Sequence, residues 1–372
     1  MKKIMEGSIA AAHAVARCGV QVVAAYPITP STHVPEELSR IQPEYGYEFI
    51  PVESEHSALS AIVGASIAGA RTFTATASQG LALMHEVLHN AAGMRLPLVM
   101  CVGNRALSAP LNIWNDWQDG ISQRDTGWIQ LYCKNNQEVI DILIQAYRIA
   151  ETASFPVMVG MDGFYLTHEI TTIDLPEKGE IAGFLPPFKP NYSLDVETPL
   201  SFGTYMNPQY YMDAKAQQQR EMLESAKTIQ SVAAEFEKVF KRKQAALIEE
   251  YRSGDADKVV VTMGSLAENA EIAVDELRTA GQKVGLVRVK CFRPFPATEL
   301  SRALKGKLVA VMEKDVSFGY EGALATELKA ALREDVLDVV CGLGGRDVKV
   351  GDVKKVFEML GQKRTGTAWL QG

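Results

Sequence analysis

Cysteine is scarce in this chain of 372 residues, and its five cysteines are widely separated. A disulfide framework needs pairs of cysteines, and a zinc or iron-sulfur site needs closely spaced ones, of which the C-x-x-C pair is typical. The chain has no C-x-x-C pair. We therefore expect five buried thiols that bind no metal: Cys18, Cys101, Cys133, Cys291 and Cys341.

Basic residues are fewer than acidic ones: the chain has 38 Lys and Arg against 45 Asp and Glu, and its net charge is -7. Such a chain offers no broad basic surface for nucleic acid. No run approaches the roughly 18 apolar residues of a membrane span. Glu6, His13 and Arg17 interrupt the start, where a signal peptide would be apolar. We expect a cytoplasmic protein that binds neither nucleic acid nor membrane.

Signatures of phosphate binding are missing as well. The sequence has no G-x-G-x-x-G after a strand and no P-loop. It also lacks a Gly-Asp-Gly followed by an Asn-containing loop, the kind of sequence that holds magnesium and a diphosphate. We therefore expect that another chain binds the phosphates of any phosphorylated cofactor that contacts this chain.

What the first 175 residues do contain is an alternation of short apolar runs with helix-like runs. This alternation predicts an α/β domain with a largely parallel sheet. Ser54 and Ser78 stand where helix N-caps are expected. The predicted strands cover 21–26, 47–52, 72–77, 96–103 and 155–161, and the predicted helices cover 5–17, 55–69, 79–93 and 136–152.

The rest of the chain divides into two further parts. Residues 176–257 begin as an irregular connection rich in proline and aromatics and continue as one long surface helix, over about 211–251. Residues 258–372 restart the α/β alternation and predict a second, smaller domain. Its predicted strands are 258–265, 283–290 and 307–313, and its predicted helices are 267–280, 297–305 and 321–333.

Polar residues gather in the loops after the predicted strands, at the sheet edge where open α/β sheets bind ligands. Glu53 and Glu55 precede an almost uncharged helix, where a poorly solvated carboxylate gains affinity for a proton. The alternative is a pair of acids stabilised by the helix dipole. Ser78, Gln79 and Gly80 combine a cap, an amide and close backbone approach, or simply begin a capped helix.

Two more loops contribute candidate substrate residues. Two prolines flank Ile28 and Thr29, forming a rigid turn that presents the Thr29 hydroxyl, with or without a ligand. Arg105 directly follows a predicted buried strand and could make a bidentate pair with a small carboxylate. An ion pair of Arg105 with Asp116 or Asp119 is the alternative.

One motif points to a different chemistry. Residues 85–89 read H-E-V-L-H, and H-E-x-x-H on a helix places two imidazoles on one face to bind zinc. A zinc peptidase is therefore an alternative function. It is disfavoured because the motif follows a buried strand and because His168 is the only histidine downstream of it.

Taken in order, these loops resemble those of the alpha subunits of 2-oxoacid:ferredoxin oxidoreductases, the pyruvate enzyme above all. The resemblance extends over essentially the whole chain. It implies a pyrimidine-type thiamine diphosphate-binding domain followed by a transketolase C-terminal-like α/β domain. The sequences that carry it are AAYPITPST, PVESEHSALSA, TATASQGLALMHEVL, NRALSAPLNIW, QRDTGWIQLY, NNQE, MDGF, RPFP and GLGGRD.

The resemblance also implies roles for individual residues. Glu55 matches the glutamate that hydrogen-bonds the pyrimidine ring of the cofactor. Thr29 and Arg105 match residues that orient the 2-oxoacid, Arg105 by pairing with its carboxylate. No residue of this chain is expected to bind metal. The residues expected to contact the cofactor are Pro27, Ile28, Thr29, Glu55, Ser78, Gln79 and Gly80.

The resemblance further implies oxidative decarboxylation of a 2-oxoacid, foremost pyruvate, to an acyl-CoA and carbon dioxide. Thiamine diphosphate would be shared with a beta subunit, with magnesium and 4Fe-4S clusters on partner subunits and coenzyme A as co-substrate. Gamma and ferredoxin-like delta subunits and an external ferredoxin complete the expected partners. Trp117 departs from the polar residue expected in this stretch, so a branched or aromatic 2-oxoacid such as 2-oxoisovalerate or phenylglyoxylate stays open.

Overall fold

The computed structural model describes residues 2–362 and 365–370. Through residue 240 its elements are β1 (Lys2–Glu6), α1 (Gly7–Arg17), β2 (Val22–Ala25), α2 (His33–Tyr45), β3 (Glu48–Pro51), α3 (Glu55–Ile67), β4 (Thr72–Thr76), α4 (Ser78–Leu83), α5 (His85–Gly93), β5 (Val99–Asn104), α6 (Gln118–Ile121), β6 (Ile129–Tyr132), α7 (Asn136–Ala153), β7 (Val157–Asp162), β8 (Ile170–Asp174), α8 (Lys178–Phe184) and α9 (Pro208–Phe240).

The remaining elements form most of a second α/β unit. They are β9 (Ile248–Tyr251), β10 (Lys258–Thr262), α10 (Leu266–Thr279), β11 (Val284–Val289), β12 (Cys291–Arg293), α11 (Ala297–Leu304), β13 (Leu308–Glu313), α12 (Ala323–Leu332), β14 (Leu337–Val340), a short 3-10 turn (Leu343–Gly345), α13 (Val350–Gly361) and β15 (Gly366–Trp369). Among the described residues, no helix has the length and apolar character needed to cross a membrane.

The first sheet has seven strands in the order β12-β6-β7-β5-β4-β2-β3. Its six strands from the first 175 residues are parallel, and only β12 runs antiparallel, against β6. Every residue of β4, β5 and β7 is buried, because helices cover both faces. The five predicted strands of this domain are confirmed.

Helices lie on both faces of this sheet. One face packs against α1, α2, α7 and α9, and the other packs against α3, α4 and α5. The helix predicted over 79–93 is divided at Met84 into α4 and α5. Helix α2, strand β6 and the small β1–β8 sheet were not predicted. All five cysteines are buried and free, as expected.

The second sheet has six strands in the order β15-β14-β13-β10-β11-β9, parallel except for β9. Strands β10, β11 and β13 and helices α10, α11 and α12 confirm the elements predicted after residue 258. Two α/β units with mainly parallel sheets therefore follow each other along the chain, which is the expected fold class.

The segment between the two sheets differs from its prediction. Helix α8 (Lys178–Phe184) lies in the part predicted to be irregular, whereas residues 185–207 form no helix or strand, as expected. The long helix covers Pro208–Phe240 instead of about 211–251, and β9 forms the antiparallel edge of the second sheet. The helix is not purely a surface helix. Met222, Ile229 and Phe236 recur at helical spacing and are buried against the first core.

A buried ion pair joins helix α7 of the first unit to strand β11 of the second sheet. Arg288 of β11 donates to both carboxylate oxygens of Glu138, each at 2.7 Å, and the two side chains are 1% and 7% exposed. Burial alone would raise the pKa of Glu138, but the Arg288 charge and its hydrogen bonds lower that pKa to about 2. This contribution to stability is complete above the unfolded pKa of about 4.5 and is lost as the pH falls through 2.

Substituting Arg288→Met should lower the free energy of unfolding by about 3–5 kcal/mol, because it leaves the Glu138 charge buried without its partner. Urea unfolding of the purified protein measures this. Arg302, which is 73% exposed and paired with Glu250 at 3.4 Å, provides the control. Arg302→Met should change stability by less than about 1 kcal/mol. Equal losses in the two variants would contradict a structural role for the buried pair.

Candidate functional site

The four candidate loops meet at one edge of the first sheet. Strands β3, β2, β4 and β5 are neighbours in that sheet and run parallel. The loop that follows each strand therefore lies at the same carboxyl edge, where ligands bind in such sheets. This edge carries Thr29, Glu55, Ser78 and Arg105.

Glu55 is the first residue of α3, and Ser54 caps this helix as predicted by accepting from the backbone N–H of Ser57 at 3.2 Å. The Glu55 side chain is only 7% exposed. A Cβ on Gly80 would lie 2.5 Å from Glu55 Oε1 and 2.5 Å from Thr76 Oγ1. Gly80 therefore lets the backbone of α4 approach the Glu55 carboxylate.

Several polar groups beside Glu55 lack partners. Thr76 Oγ1 and Gln79 Nε2 are buried and have no hydrogen-bond partner among the described residues. Glu55 likewise forms no side-chain hydrogen bond or ion pair within residues 2–362 and 365–370. Buried polar groups are rarely left unpaired. These groups are therefore free to pair with a ligand.

Ser78 does not cap helix α4, so that part of its prediction was wrong. The helix begins at Ser78 itself, and the residue before it, Ala77, makes no side-chain cap. The Ser78 hydroxyl contacts the Gln79 side-chain oxygen at 2.5 Å and the Ala106 carbonyl. With φ at 49°, Ser78 lies in the left-handed region that favours glycine. Asp119 instead accepts from the Ser78 backbone N–H, at 2.8 Å.

The structure brings Arg105 and Thr29 together. Arg105 Nη1 donates to the Thr29 carbonyl at 2.8 Å, and Nε donates to the Asn112 carbonyl at 3.2 Å. The alternative ion pair with Asp116 or Asp119 is absent among the described residues, since the guanidinium bonds only to carbonyls there. Burial lowers the pKa of Arg105, and the Asp119 charge raises it. A buried guanidinium without a paired carboxylate is suited to bind an anionic substrate.

Asp119 was considered from the sequence only as an ion-pair partner of the Arg105 side chain, and its actual contacts were not predicted. Its carboxylate is fully buried and accepts from the backbone N–H groups of Ser78, Arg105 and Gly120 and from Asn104 Nδ2, at 2.7–3.0 Å. Burial raises the pKa of Asp119 to about 6, although the four hydrogen bonds lower it. No spacing rule joins these residues, because the loops that carry them meet only in the folded sheet.

Trp117 does not line an open pocket. It is fully buried, packs in the core of the second sheet, and donates from Nε1 to Asp162 at 2.7 Å. Its backbone N–H donates to the Lys314 carbonyl at 2.8 Å. Trp117 therefore connects the two sheets, and its bulk is no argument for a bulky substrate.

The H-E-V-L-H motif has no metal-site surroundings. His85 Nδ1 contacts Gln123 Oε1 at 2.5 Å, and the His85 and His89 rings meet edge to face at 4.9 Å. Within the part of the chain that the structure describes, no group of three or more His, Cys, Asp or Glu side chains could hold a metal ion. The zinc peptidase alternative has no support from the structure.

Two family models match this chain. Residues 13–234 match a model described as pyruvate flavodoxin/ferredoxin oxidoreductase, thiamine diphosphate-binding. Residues 256–353 match pyruvate:ferredoxin oxidoreductase core domain II. The chain belongs to the 2-oxoacid:ferredoxin oxidoreductases, among their alpha subunits. Its first sheet with the loops above is thus a thiamine diphosphate-binding domain.

Relatives of this alpha subunit match over nearly their full lengths. The pyruvate synthase subunit PorA of Pyrococcus abyssi is 51% identical over 370 residues, which cover 96% of this chain and 93% of that protein. The ketoisovalerate oxidoreductase subunit VorA of Pyrococcus horikoshii is 46% identical, with 96% and 93% covered.

A solved structure supports the fold. The 2-oxoglutarate:ferredoxin oxidoreductase of Magnetococcus marinus, with 2-oxoglutarate, coenzyme A and succinyl-CoA bound, superposes with a TM-score of 0.75. The match covers 96% of this chain and 65% of that one. At 22% identity it supports the fold alone.

Substituting Gly80→Ala should weaken thiamine diphosphate binding by roughly tenfold or more, because the new methyl group would displace Glu55 Oε1. The measurement is the half-saturating cofactor concentration of the assembled enzyme. Gly64, inside α3 with no atom within 4 Å of its would-be Cβ, supplies the control. Gly64→Ala should stabilise the helix by about 0.5–1 kcal/mol and leave cofactor binding unchanged. Normal cofactor binding in Gly80→Ala would show that the close approach to Glu55 is not needed.

Proposed function

We propose that this chain supplies the pyrimidine-facing half of the thiamine diphosphate site in a pyruvate-oxidising enzyme of the pyruvate synthase type. The observation that carries the proposal is the Glu55 carboxylate, buried against Gly80 beside the unpartnered Thr76 Oγ1 and Gln79 Nε2. Such a carboxylate can hold a proton opposite a ring nitrogen of the pyrimidine.

Some residues of the site would contact the cofactor, and others would contact the substrate. When bound, thiamine diphosphate supplies the carbon nucleophile and electron sink for removing carbon dioxide from a 2-oxoacid. Glu55 would exchange a proton at its carboxylate oxygens with the pyrimidine. Gln79 and Gly80 would contact the same ring. Arg105 would pair with the substrate carboxylate, beside Thr29 in the turn that starts at Pro27 and Ile28.

The products and partners belong to the same proposal. The acyl group would pass to coenzyme A, and the electrons would pass to 4Fe-4S clusters and then to ferredoxin. A beta subunit would hold magnesium and the diphosphate, and gamma and ferredoxin-like delta subunits would complete a cytoplasmic complex. The names of the relatives, which are subunits of oxidoreductases, support a multisubunit assembly.

We also propose a division of the chain at residues 175 and 257. Matches of separate family models to 13–234 and 256–353 support two domains. The sheets support this division except at two strands: β9, from the connecting segment, lies in the second sheet, and β12 lies in the first.

Pyruvate is proposed as the substrate because the PorA of Pyrococcus abyssi is 51% identical to this chain, whereas the VorA of Pyrococcus horikoshii is 46% identical. The test is reduction of a viologen dye by the complex purified through a tag on this chain. Pyruvate, 2-oxoisovalerate, 2-oxoglutarate and phenylglyoxylate are compared, with and without coenzyme A. The highest kcat/KM should be found with pyruvate and coenzyme A, and a preference for another acid would overturn the substrate assignment.

Substituting Glu55→Gln should slow pyruvate-dependent viologen reduction by roughly 10²- to 10⁴-fold, because the amide cannot exchange the carboxyl proton. Glu53→Gln is the matched control. Glu53 lies two residues earlier, is exposed, and accepts a hydrogen bond from Ser57 Oγ, at 2.5 Å. It should retain full activity. Unchanged turnover in Glu55→Gln would refute the proposed role of Glu55.

Substituting Arg105→Ala should lower kcat/KM for pyruvate by roughly 10- to 100-fold, chiefly through KM, because a charge-assisted pair with the substrate is lost. The KM for coenzyme A in the same variant is the internal control and should stay constant. A fall in kcat with no change in the pyruvate KM would contradict carboxylate binding by Arg105.

A further inference from the structure

One buried carboxylate contacts both loops of the candidate site. Asp119 Oδ2 accepts from the Ser78 N–H at 2.8 Å and from the Arg105 N–H at 3.0 Å. Its Oδ1 accepts from Asn104 Nδ2 at 2.9 Å and from the Gly120 N–H at 2.7 Å. We call Asp119 and these four donor residues the Asp119 cluster. The four N–H donors stabilise the negative charge of this carboxylate by hydrogen bonding, without a cationic side chain.

The first of these loops depends on Asp119 for its shape. Ser78 has a positive φ, which costs a residue with a side chain free energy and persists only where the surroundings hold it. Its N–H bond to Asp119 and the contact of its hydroxyl with the Ala106 carbonyl hold it there. Two residues later, Gly80 lies against Glu55. A shift at Ser78 would therefore move the backbone that supports the cofactor-facing carboxylate.

The second loop depends on the same oxygen atom. Arg105 donates its backbone N–H to Asp119 Oδ2 while its side chain reaches the Thr29 carbonyl. Asn104, the last residue of β5, donates to the other carboxylate oxygen. The end of β5 and the guanidinium that follows it are thus fixed relative to Ser78. One side chain, that of Asp119, therefore links the loop at Ser78 directly to the loop at Arg105.

Asp119 is itself held rigidly from the opposite side. Gln130 Nε2 donates to the Gly120 carbonyl at 2.8 Å, and a Cβ on Gly120 would lie 2.6 Å from the Tyr132 hydroxyl oxygen. Strand β6, which carries both residues, lies inside the first sheet. The short helix α6 therefore cannot shift without displacing a strand.

We propose that Asp119 is a positioning residue that fixes the cofactor-facing loop at Ser78 and the substrate-facing loop at Arg105 in one mutual arrangement. The inference rests on the proposed roles of Glu55 and Arg105, and it adds that the two halves of the site are set together. Loss of the Asp119 carboxylate then impairs cofactor and substrate binding in parallel. A residue that merely stabilised the fold would change neither binding constant.

The test compares Asp119→Asn with Asp116→Asn in the assembled complex, using thiamine diphosphate and pyruvate as probes. Asn keeps the size of Asp, but its amide turns two N–H groups toward two of the four donors. Asp116 is buried on the same segment and accepts from Gln118 N and Gly344 N, neither of which belongs to a site loop. It therefore controls for the loss of a buried carboxylate.

In Asp119→Asn, the half-saturating thiamine diphosphate concentration and the pyruvate KM should each rise by roughly tenfold or more. Asp116→Asn should leave both unchanged. Hydrogen exchange of the cofactor-free complex gives a readout apart from activity. The amides of Ser78 and Arg105 should exchange at least roughly tenfold faster in Asp119→Asn only. Unchanged constants, or a change confined to one probe or one loop, would overturn the proposal.

A second variant covers the case in which Asp119→Asn does not assemble. Asn104→Ala removes one of the four donors and should raise both constants by a smaller factor. Constants equal to those of the unsubstituted enzyme would overturn the proposal. Failure of the proposed function is seen separately, as unchanged turnover in Glu55→Gln, because neither Asp119 nor Asn104 is altered in that variant.

Discussion

The buried negative charge of Asp119 is the interaction on which the candidate site depends. A carboxylate without water must find its hydrogen-bond donors in the protein. Asp119 finds all four in the ends of neighbouring elements: the start of α4, the end of β5, the residue after it, and its own short helix. Satisfying this charge requires the loops to meet, and once they meet Gly80 supports Glu55 while Arg105 reaches Thr29.

Much of this arrangement follows from local sequence, but the connections between loops do not. The five strands of the first domain are continuous apolar runs, and such runs predict buried parallel strands well. Because parallel strands end at one edge, Glu55, Arg105 and Thr29 could be placed together without a structure. Ser54 was correctly predicted as a cap. Its hydroxyl accepts from the backbone N–H of Ser57, only three positions on, so this contact is local in sequence.

The predictions that failed depend on contacts between distant residues. Ser78 occupies a cap-like position, yet a carboxylate 41 residues away accepts its N–H. Trp117 was expected near the substrate because of its neighbours in sequence, but it packs against Lys314 and Asp162 from other elements. Strand β12 has three residues, too few to show a period, and it pairs with β6 far along the chain. Tertiary pairing decided each of these cases.

The chain presents its polar groups at an edge that another surface must complete. Thr76 Oγ1 and Gln79 Nε2 are buried without partners among the described residues, and the sequence contains none of the phosphate-binding motifs considered above. A structure of the assembled complex with thiamine diphosphate bound is the most direct test. The account predicts a Glu55 carboxylate oxygen within about 3.2 Å of a pyrimidine ring nitrogen, with the diphosphate on another subunit. A pyrimidine ring held away from Glu55, or a diphosphate held by this chain, would contradict it.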